Sequence, residues 1–183
     1  MTTKLNLELR KLNTNSEDRD LFEQINKEAF PASERMSFNE IFAFASDTST
    51  DVLGIYEDKK PIGFAVLLKN KECGYIYFLA VDGHMRSNGY GSAAIRKMSE
   101  VYPGLQLVLD FEPIDASAEN NAQRIRRKKF YLRNGFHETG NYTMLRDDRF
   151  EVVCTGKELR KEALKDLLRI IHEHRPDFPD ILI

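Results

Sequence analysis

Three apolar runs of the chain, 52–56, 62–68 and 73–81, are separated only by short polar turns. Runs with so little chain between them are typical of neighbouring antiparallel strands. From residue 89 onward the pattern changes to a helix followed by a strand, and the resulting order of strand, helix and strand indicates a right-handed parallel crossover. The sequence therefore predicts a mixed central sheet that is antiparallel up to residue 81 and parallel after it.

Further elements surround these runs. Strict alternation of apolar and polar residues predicts a first strand over 4–10. Ser16 is the predicted N-cap of a helix that ends at Pro31, and Ser37 with Glu40 predicts a capping box at the start of the next helix. The remaining elements are predicted as helices over 89–102, 120–133 and 158–173 and as strands over 105–111, 136–145 and 149–154.

Together these elements predict a single mixed α/β domain with helices on both faces of the sheet. The length of 183 residues, 42% of them hydrophobic, suits one core that buries roughly 70% of the surface of the unfolded chain. We expect this domain over 1–155, followed by an additional C-terminal helix and tail over 156–183 that pack on it.

The overall charge excludes several classes of partner. The formal net charge is −2, so the chain carries no field that would attract nucleic acid or an anionic membrane. No apolar run approaches the ~20 residues of a membrane span, and the N-terminus lacks the apolar stretch of a secretory signal, so we expect a cytoplasmic protein. Cys73 and Cys154 are too few for a four-ligand zinc site, and no metal is predicted.

Two glycines, Gly89 and Gly91, lie between the third apolar run and the following helix. The first amides of a helix have no intrahelical acceptor and lie at the positive end of the helix dipole, and glycine lets a phosphate approach them closely. Arg86 adds a cation to this segment, and Ser92 adds a hydroxyl group. The pattern favours a pyrophosphate site, although two glycines also fit a tight turn that binds nothing.

The block FLAVDGHMRSNGYGSAAIRKM, followed some forty residues later by KFYLRNGF, resembles the GCN5-related N-acetyltransferase (GNAT) family. The resemblance implies a cosubstrate, acetyl-coenzyme A, whose pantetheine arm pairs with the backbone of Leu79, Ala80 and Val81. It also implies that Tyr131 lies near the thioester sulfur. The diphosphate would be held by the loop Arg86, Ser87, Asn88, Gly89, Tyr90, Gly91 and Ser92.

Acetyl transfer to an amine needs a proton donor and a proton acceptor. A phenol with its ordinary pKa near 10 stays protonated at neutral pH, so Tyr131 suits the leaving thiolate, although it also fits a core aromatic position. The amine itself must lose a proton before it attacks. Asp110 and Glu112 share a face at the carboxyl end of one strand. Glu112, directly or through water, is the predicted general base, and Asp110 is the second candidate.

The chain departs from the family at one position. Many members have an asparagine seven residues before the tyrosine, where this chain has Arg124. Arg124 begins a basic run that is typical of a solvated helix face. An alternative places Arg124 or Lys128 at the 3′-phosphate of coenzyme A. The run consists of Arg124, Arg126, Arg127, Lys128 and Lys129.

The expected activity is acetyl transfer to a primary amine of a small molecule or peptide, in a ternary complex, by a monomer or homodimer. Glu34, Glu112, Asp115 and Glu119 could edge the acceptor cleft, which favours a cationic amine. One alternative is a catalytically silent module that binds coenzyme A or a partner protein. Another is an NAD(P)-dependent oxidoreductase, because Gly89, Gly91 and Ala94 resemble a dinucleotide fingerprint. Seven residues separate Val81 from Gly89, and this distance disfavours the oxidoreductase.

Overall fold

The computed structural model describes residues 5–145 and 147–175. Every predicted helix and strand is present, with ends that differ from the prediction by a few residues. The elements of the described residues are β1 (Leu7–Lys11), α1 (Arg19–Ala29), α2 (Phe38–Asp47), β2 (Thr50–Glu57), β3 (Lys60–Lys69), β4 (Cys73–Val81), α3 (Tyr90–Val101), β5 (Gln106–Phe111), α4 (Asn121–Arg133), β6 (His137–Leu145), β7 (Asp148–Cys154) and α5 (Lys161–His174).

The strands form one seven-stranded mixed sheet in the order β1-β2-β3-β4-β5-β7-β6. β1 and β2 pair antiparallel, as do β2 and β3, and the expected change to parallel pairing occurs between β4 and β5. β7 then lies between β5 and β6 and is antiparallel to both. The mixed α/β fold is thus confirmed, and the parallel part of the sheet is the single β4–β5 pair.

The chain divides into two compact units. Among the described residues, unit 1 holds 5–69 and 76–104, and unit 2 holds 70–75, 105–145 and 147–175. β4 begins in unit 2 and continues in unit 1. The predicted domain boundary at 155 stays a prediction, and residues 176–183 of the predicted tail lie outside the described residues.

Helices cover both faces of the sheet in unit 1. Neighbouring residues of a strand point to opposite faces. Ile55 of β2 packs in a cluster with Ala93 and Ala94 of α3, whereas the ring of Tyr56 meets the ring of Phe22 of α1 edge to face. Phe22 is fully buried. The central strands of this unit are therefore buried on both sides, which explains their almost continuous apolar sequence.

The two predicted helix starts have different outcomes. The capping box of α2 is confirmed, because the Ser37 hydroxyl accepts from the backbone of Glu40 and the Glu40 carboxylate accepts from the backbone of Ser37. The prediction that Ser16 caps α1 is wrong, since α1 begins at Arg19. The Ser16 hydroxyl instead accepts a hydrogen bond from the backbone N–H of Asn13, at 2.9 Å, within the preceding turn.

A buried glutamine fixes the start of α5 in unit 2. The amide of Gln106 donates to the carbonyl oxygens of Thr155 and Glu158, at 2.7 and 2.8 Å, and accepts from the backbone N–H of Arg160 at 2.8 Å. α5 then buries one apolar stripe, as its sequence predicts. The stripe consists of Leu164, Leu167, Leu168 and Ile171.

A search of the helices within 5–145 and 147–175 finds none with both the length and the apolar character needed to cross a membrane.

Candidate active site

The glycine-containing segment forms a loop between β4 and α3 in unit 1. Asp82 opens it by accepting from the backbone N–H of His84 at 2.8 Å, and a short 3₁₀ turn, Gly83–Met85, follows. Ser87 and Gly89 have left-handed backbone, with φ of 68° and 83°. Gly89 is the N-cap of α3, and left-handed backbone is far easier for glycine than for any residue with a Cβ. The loop thus needs a glycine at position 89.

The amides at the start of α3 are unbonded. No described residue accepts a hydrogen bond from the backbone N–H groups of 87–92, and the first amide to bond backwards is that of Ala93, to the Gly89 carbonyl at 3.0 Å. The exposed guanidinium of Arg86 has no ion pair within the described residues. Unpaired donors beside a helix N-terminus and a cation are what an anionic group requires.

Tyr90 joins this loop to a distant hairpin. Its hydroxyl donates to the carboxylate of Glu57 at the end of β2. This hydrogen bond raises the pKa of Tyr90 above its ordinary value. Met85 and Tyr90 also pack against the core of unit 1. The Tyr90–Glu57 pair could not be predicted from the sequence, because the two residues are 33 positions apart and belong to separate elements.

β4 has a free edge beyond its first residues. Its parallel pairing with β5 covers only Cys73, Gly74 and Tyr75 of β4. β3 is the neighbour of β4 on its other side, and among the described strands none pairs with the opposite edge of 79–81. An unpaired strand edge of this kind can pair with an extended ligand.

Tyr131 lies on α4 in unit 2 with its ring among aromatic side chains. Its ring stacks on that of Phe111, with centroids 5.6 Å and planes 9° apart, and meets Phe136 edge to face at 5.5 Å. Burial raises the pKa of Tyr131 to about 12, with a smaller opposing effect of Arg127. No described residue hydrogen-bonds its hydroxyl. The ring is half-buried between its aromatic neighbours, and the raised pKa keeps the hydroxyl protonated at neutral pH.

Glu112 binds two arginines. Its carboxylate accepts from Arg124 at 2.7 Å and from Arg127 at 3.4 Å. Arg124 also donates to the carbonyl oxygen of Pro113 and to Asn120. Both oxygens of this carboxylate are therefore occupied by guanidinium donors, Oε1 by Arg124 and Oε2 by Arg127. Arg124 stands where many family members have an asparagine. Its guanidinium group is bonded to Glu112 and to the loop that follows Glu112.

Asp110 has a different environment. Its carboxylate accepts a hydrogen bond from the Tyr75 hydroxyl at 2.9 Å and another from the Thr143 hydroxyl. Burial raises the pKa of Asp110, and the two hydroxyl groups lower it by less. No cation of the described residues bonds this carboxylate.

The other acidic and basic candidates are distributed as follows. Asp115 accepts from the hydroxyl and backbone of Ser117, which lowers its pKa, and Glu119 is exposed. Lys128 binds Glu138 and Glu151.

The candidate residues are divided between the two units. Glu34, the glycine loop and the edge of β4 belong to unit 1, whereas Tyr131, Asp110 and Glu112 belong to unit 2. Within the described part of the chain, no group of three His, Cys, Asp or Glu side chains could hold a metal ion.

Three solved structures with this fold illustrate the comparison. A GNAT-family acetyltransferase from Bacteroides thetaiotaomicron is 21% identical, over 90% of this chain and 96% of its own, with a TM-score of 0.72. The PaiA N-acetyltransferase of Thermoplasma acidophilum, in complex with coenzyme A, is 17% identical over 84% and 100%, with a TM-score of 0.58. A GNAT acetyltransferase of Elizabethkingia anophelis with acetyl-CoA bound is 13% identical over 83% and 99%, with a TM-score of 0.57.

No curated protein matches the sequence. The family model described as the acetyltransferase (GNAT) family matches residues 17–136, more than half of the chain. The unbonded amides at the start of α3 lie inside the matched range, as does Tyr131. From this match we conclude that the chain belongs to the GNAT acetyltransferase family.

Proposed function

We propose that the protein transfers an acetyl group from acetyl-CoA to a primary amine of a small molecule or peptide. The observation that carries the proposal is the set of amides of 87–92 at the start of α3, for which no described residue supplies an acceptor. Family membership suggests coenzyme A as the ligand of these amides, because the similar proteins of T. acidophilum and E. anophelis have coenzyme A or acetyl-CoA bound.

The residues present suit this cosubstrate. The backbone and side chains of Arg86, Ser87, Asn88, Gly89, Tyr90, Gly91 and Ser92 would hold the diphosphate, since they offer donors, a cation and close backbone approach. The free edge of β4 at Leu79, Ala80 and Val81 would pair with the amide groups of the pantetheine arm.

The chemical step is direct attack of the amine on the thioester. A base takes a proton from the ammonium form of the acceptor, the amine nitrogen forms a bond to the acetyl carbon, and the bond from that carbon to sulfur breaks. Tyr131 would give its proton to the departing sulfur and recover one as the new amide loses its surplus proton. With a pKa of about 12, the phenol is in the donor form at neutral pH.

The class of acceptor depends on the charge of the acidic side chains that could edge the acceptor cleft. Because Glu112 is paired with two arginines, its contribution to a negative cleft is reduced, whereas Ser117 is a neutral partner and leaves the charge of Asp115 in place. Glu119 keeps an exposed carboxylate. We retain a primary amine as the acceptor, with cationic amines as the first to try.

Calorimetry with acetyl-CoA, coenzyme A and NAD(P) tests the cosubstrate, and thiol release with a panel of polyamines, aminoglycosides, amino acids and peptides tests the reaction. We expect acetyl-CoA to bind, NAD(P) to give no heat, and at least one amine to release coenzyme A. Binding without turnover on any amine would favour the catalytically silent module. Absence of acetyl-CoA binding would contradict both of these functions.

A further inference from the structure

Two hydroxyl-bearing side chains bind the carboxylate of Asp110 near the end of β5. Tyr75 of β4 and Thr143 of β6 each donate to it. On β7, the residue opposite Asp110 is the apolar Val152. The carboxylate is thus fixed by neutral donors from two different strands.

The carboxylate that follows the end of β5, Glu112, is held by cations instead. Arg124 and Arg127 of α4 both reach Glu112, and Asn120 lies within 3.3 Å of it. Each of its two oxygens already accepts from a guanidinium group, so an ammonium donor would have to displace an arginine to reach it. Asp110, by contrast, forms no ion pair with a cation of the described residues.

A general base works best when its pKa approaches the working pH. Burial moves the pKa of Asp110 upward, towards that range, and the hydroxyl groups of Tyr75 and Thr143 restrain the shift. The residue is not fully buried, so part of it can meet a substrate or a water molecule. Asp110 thus combines a fixed orientation, a raised pKa and residual exposure.

We infer that Asp110, rather than Glu112, accepts the proton of the acceptor amine, and that Tyr75 and Thr143 are positioning residues that hold its carboxylate. This inference rests on the proposed acetyl transfer. One proton leaves the ammonium nitrogen for an oxygen of Asp110, directly or through a water molecule. The protonated carboxyl then returns its proton to solvent, while the separate proton on sulfur comes from Tyr131.

The test is the pH profile of kcat/KM for the wild type, D110N and E112Q, with an amine that the wild type acetylates. We expect D110N to lower kcat/KM about 100-fold and to remove the acidic limb of the profile, in keeping with the usual contribution of a general base. E112Q should keep that limb. Thermal unfolding and acetyl-CoA affinity show whether each variant retains its fold.

Two further variants separate positioning from folding. Y75F and T143V each remove a hydroxyl that lowers the pKa of Asp110, so each should move the acidic limb to higher pH, while acetyl-CoA affinity stays within about twofold of the wild type. A D110N profile that keeps the acidic limb, or loss of the limb in E112Q, overturns the inference. A wild type that acetylates no amine overturns the proposed function itself and the inference with it.

Discussion

The ring of Tyr131 stacks almost parallel on the ring of Phe111, with their centroids 5.6 Å apart. This contact joins α4 to β5 within unit 2, and it involves the ring without the hydroxyl. The packing of the side chain and its chemistry can therefore be changed independently, because phenylalanine keeps the ring and removes the proton donor.

Tyr131→Phe should lower kcat by about 10- to 100-fold, since the proton donor to the leaving sulfur is lost. The affinity for acetyl-CoA and the free energy of unfolding should change little, because no described residue bonds the hydroxyl. Steady-state kinetics and calorimetry measure both effects. Tyr142→Phe removes a hydroxyl from β6 of the same unit and serves as the control. An unchanged kcat in Tyr131→Phe would exclude this phenol from the mechanism.

The diphosphate loop can be tested through the backbone of Gly89. Alanine at this position must adopt a φ near 83°, which costs about 1–2 kcal/mol, although its Cβ would lie at an ordinary 3.7 Å from Leu5. We expect Gly89→Ala to shift the loop and raise the KM for acetyl-CoA about tenfold with kcat nearly kept. Gly104→Ala is the matched control, because Gly104 has a φ of 86° and open space at its Cβ. Equal KM values in the two variants would show that the loop does not bind the cosubstrate.

The Tyr90–Glu57 hydrogen bond should matter for cosubstrate binding rather than for the chemical step. Tyr90→Phe and Glu57→Ala each remove this link between the loop and the hairpin, and we expect each to raise the KM for acetyl-CoA about three- to tenfold. Since both changes break the same bond, the double variant should resemble either single one. Additive effects on KM would mean that the two residues act separately.

The sequence was sufficient for the elements and for the position of the glycine-containing loop between β4 and α3. Periodicity located the strands and helices. The capping box at Ser37 and Glu40 could be predicted because its two partners are only three residues apart in the sequence. The position of β7 between β5 and β6 could not be predicted. The two strands of a hairpin show the same alternation of residues whichever of them pairs with the rest of the sheet.

The other features that the sequence did not predict are contacts between side chains far apart in the chain. Arg124 was noticed as a departure from the family, but its partner Glu112 depends on the path of the loop between them. The bond from Tyr75 to Asp110 joins residues 35 positions apart on neighbouring strands. Such pairs leave no local pattern, so the sequence analysis ranked Glu112 above Asp110 without information on the charges around either one.

Lys128 should be a stabilising residue rather than a coenzyme A contact. Its ammonium group binds Glu151, whose side chain is only 8% exposed, at 2.9 Å, and also binds Glu138. Lys128→Met leaves a buried carboxylate unpaired, so we expect a loss of about 2–3 kcal/mol in the free energy of unfolding, measured with urea. Lys165→Met, whose partner Glu162 is 85% exposed, should change it by less than about 1 kcal/mol. A smaller loss in Lys128→Met than in Lys165→Met would contradict this assignment.

The stability of unit 1 should depend on pH through Asp51, which is 8% exposed. Burial alone would raise the pKa of this carboxyl, but hydrogen bonds from Lys11, Lys69 and Tyr102 outweigh it and lower the pKa below the ordinary value. A lowered pKa means that the stabilisation is complete above the unfolded value of about 4 and is lost as the pH falls through the folded value.

Urea unfolding of the wild type and Asp51→Asn between pH 7 and pH 2.5 measures this contribution. We expect Asp51→Asn to be less stable at pH 7, because two lysines lose their shared partner, and the difference from the wild type to shrink steadily below pH 4. Asp166→Asn, an exposed partner of Arg169, should follow the wild type at every pH. A difference between wild type and Asp51→Asn that stays constant down to pH 2.5 would mean that the charge of Asp51 contributes nothing and that only its shape matters.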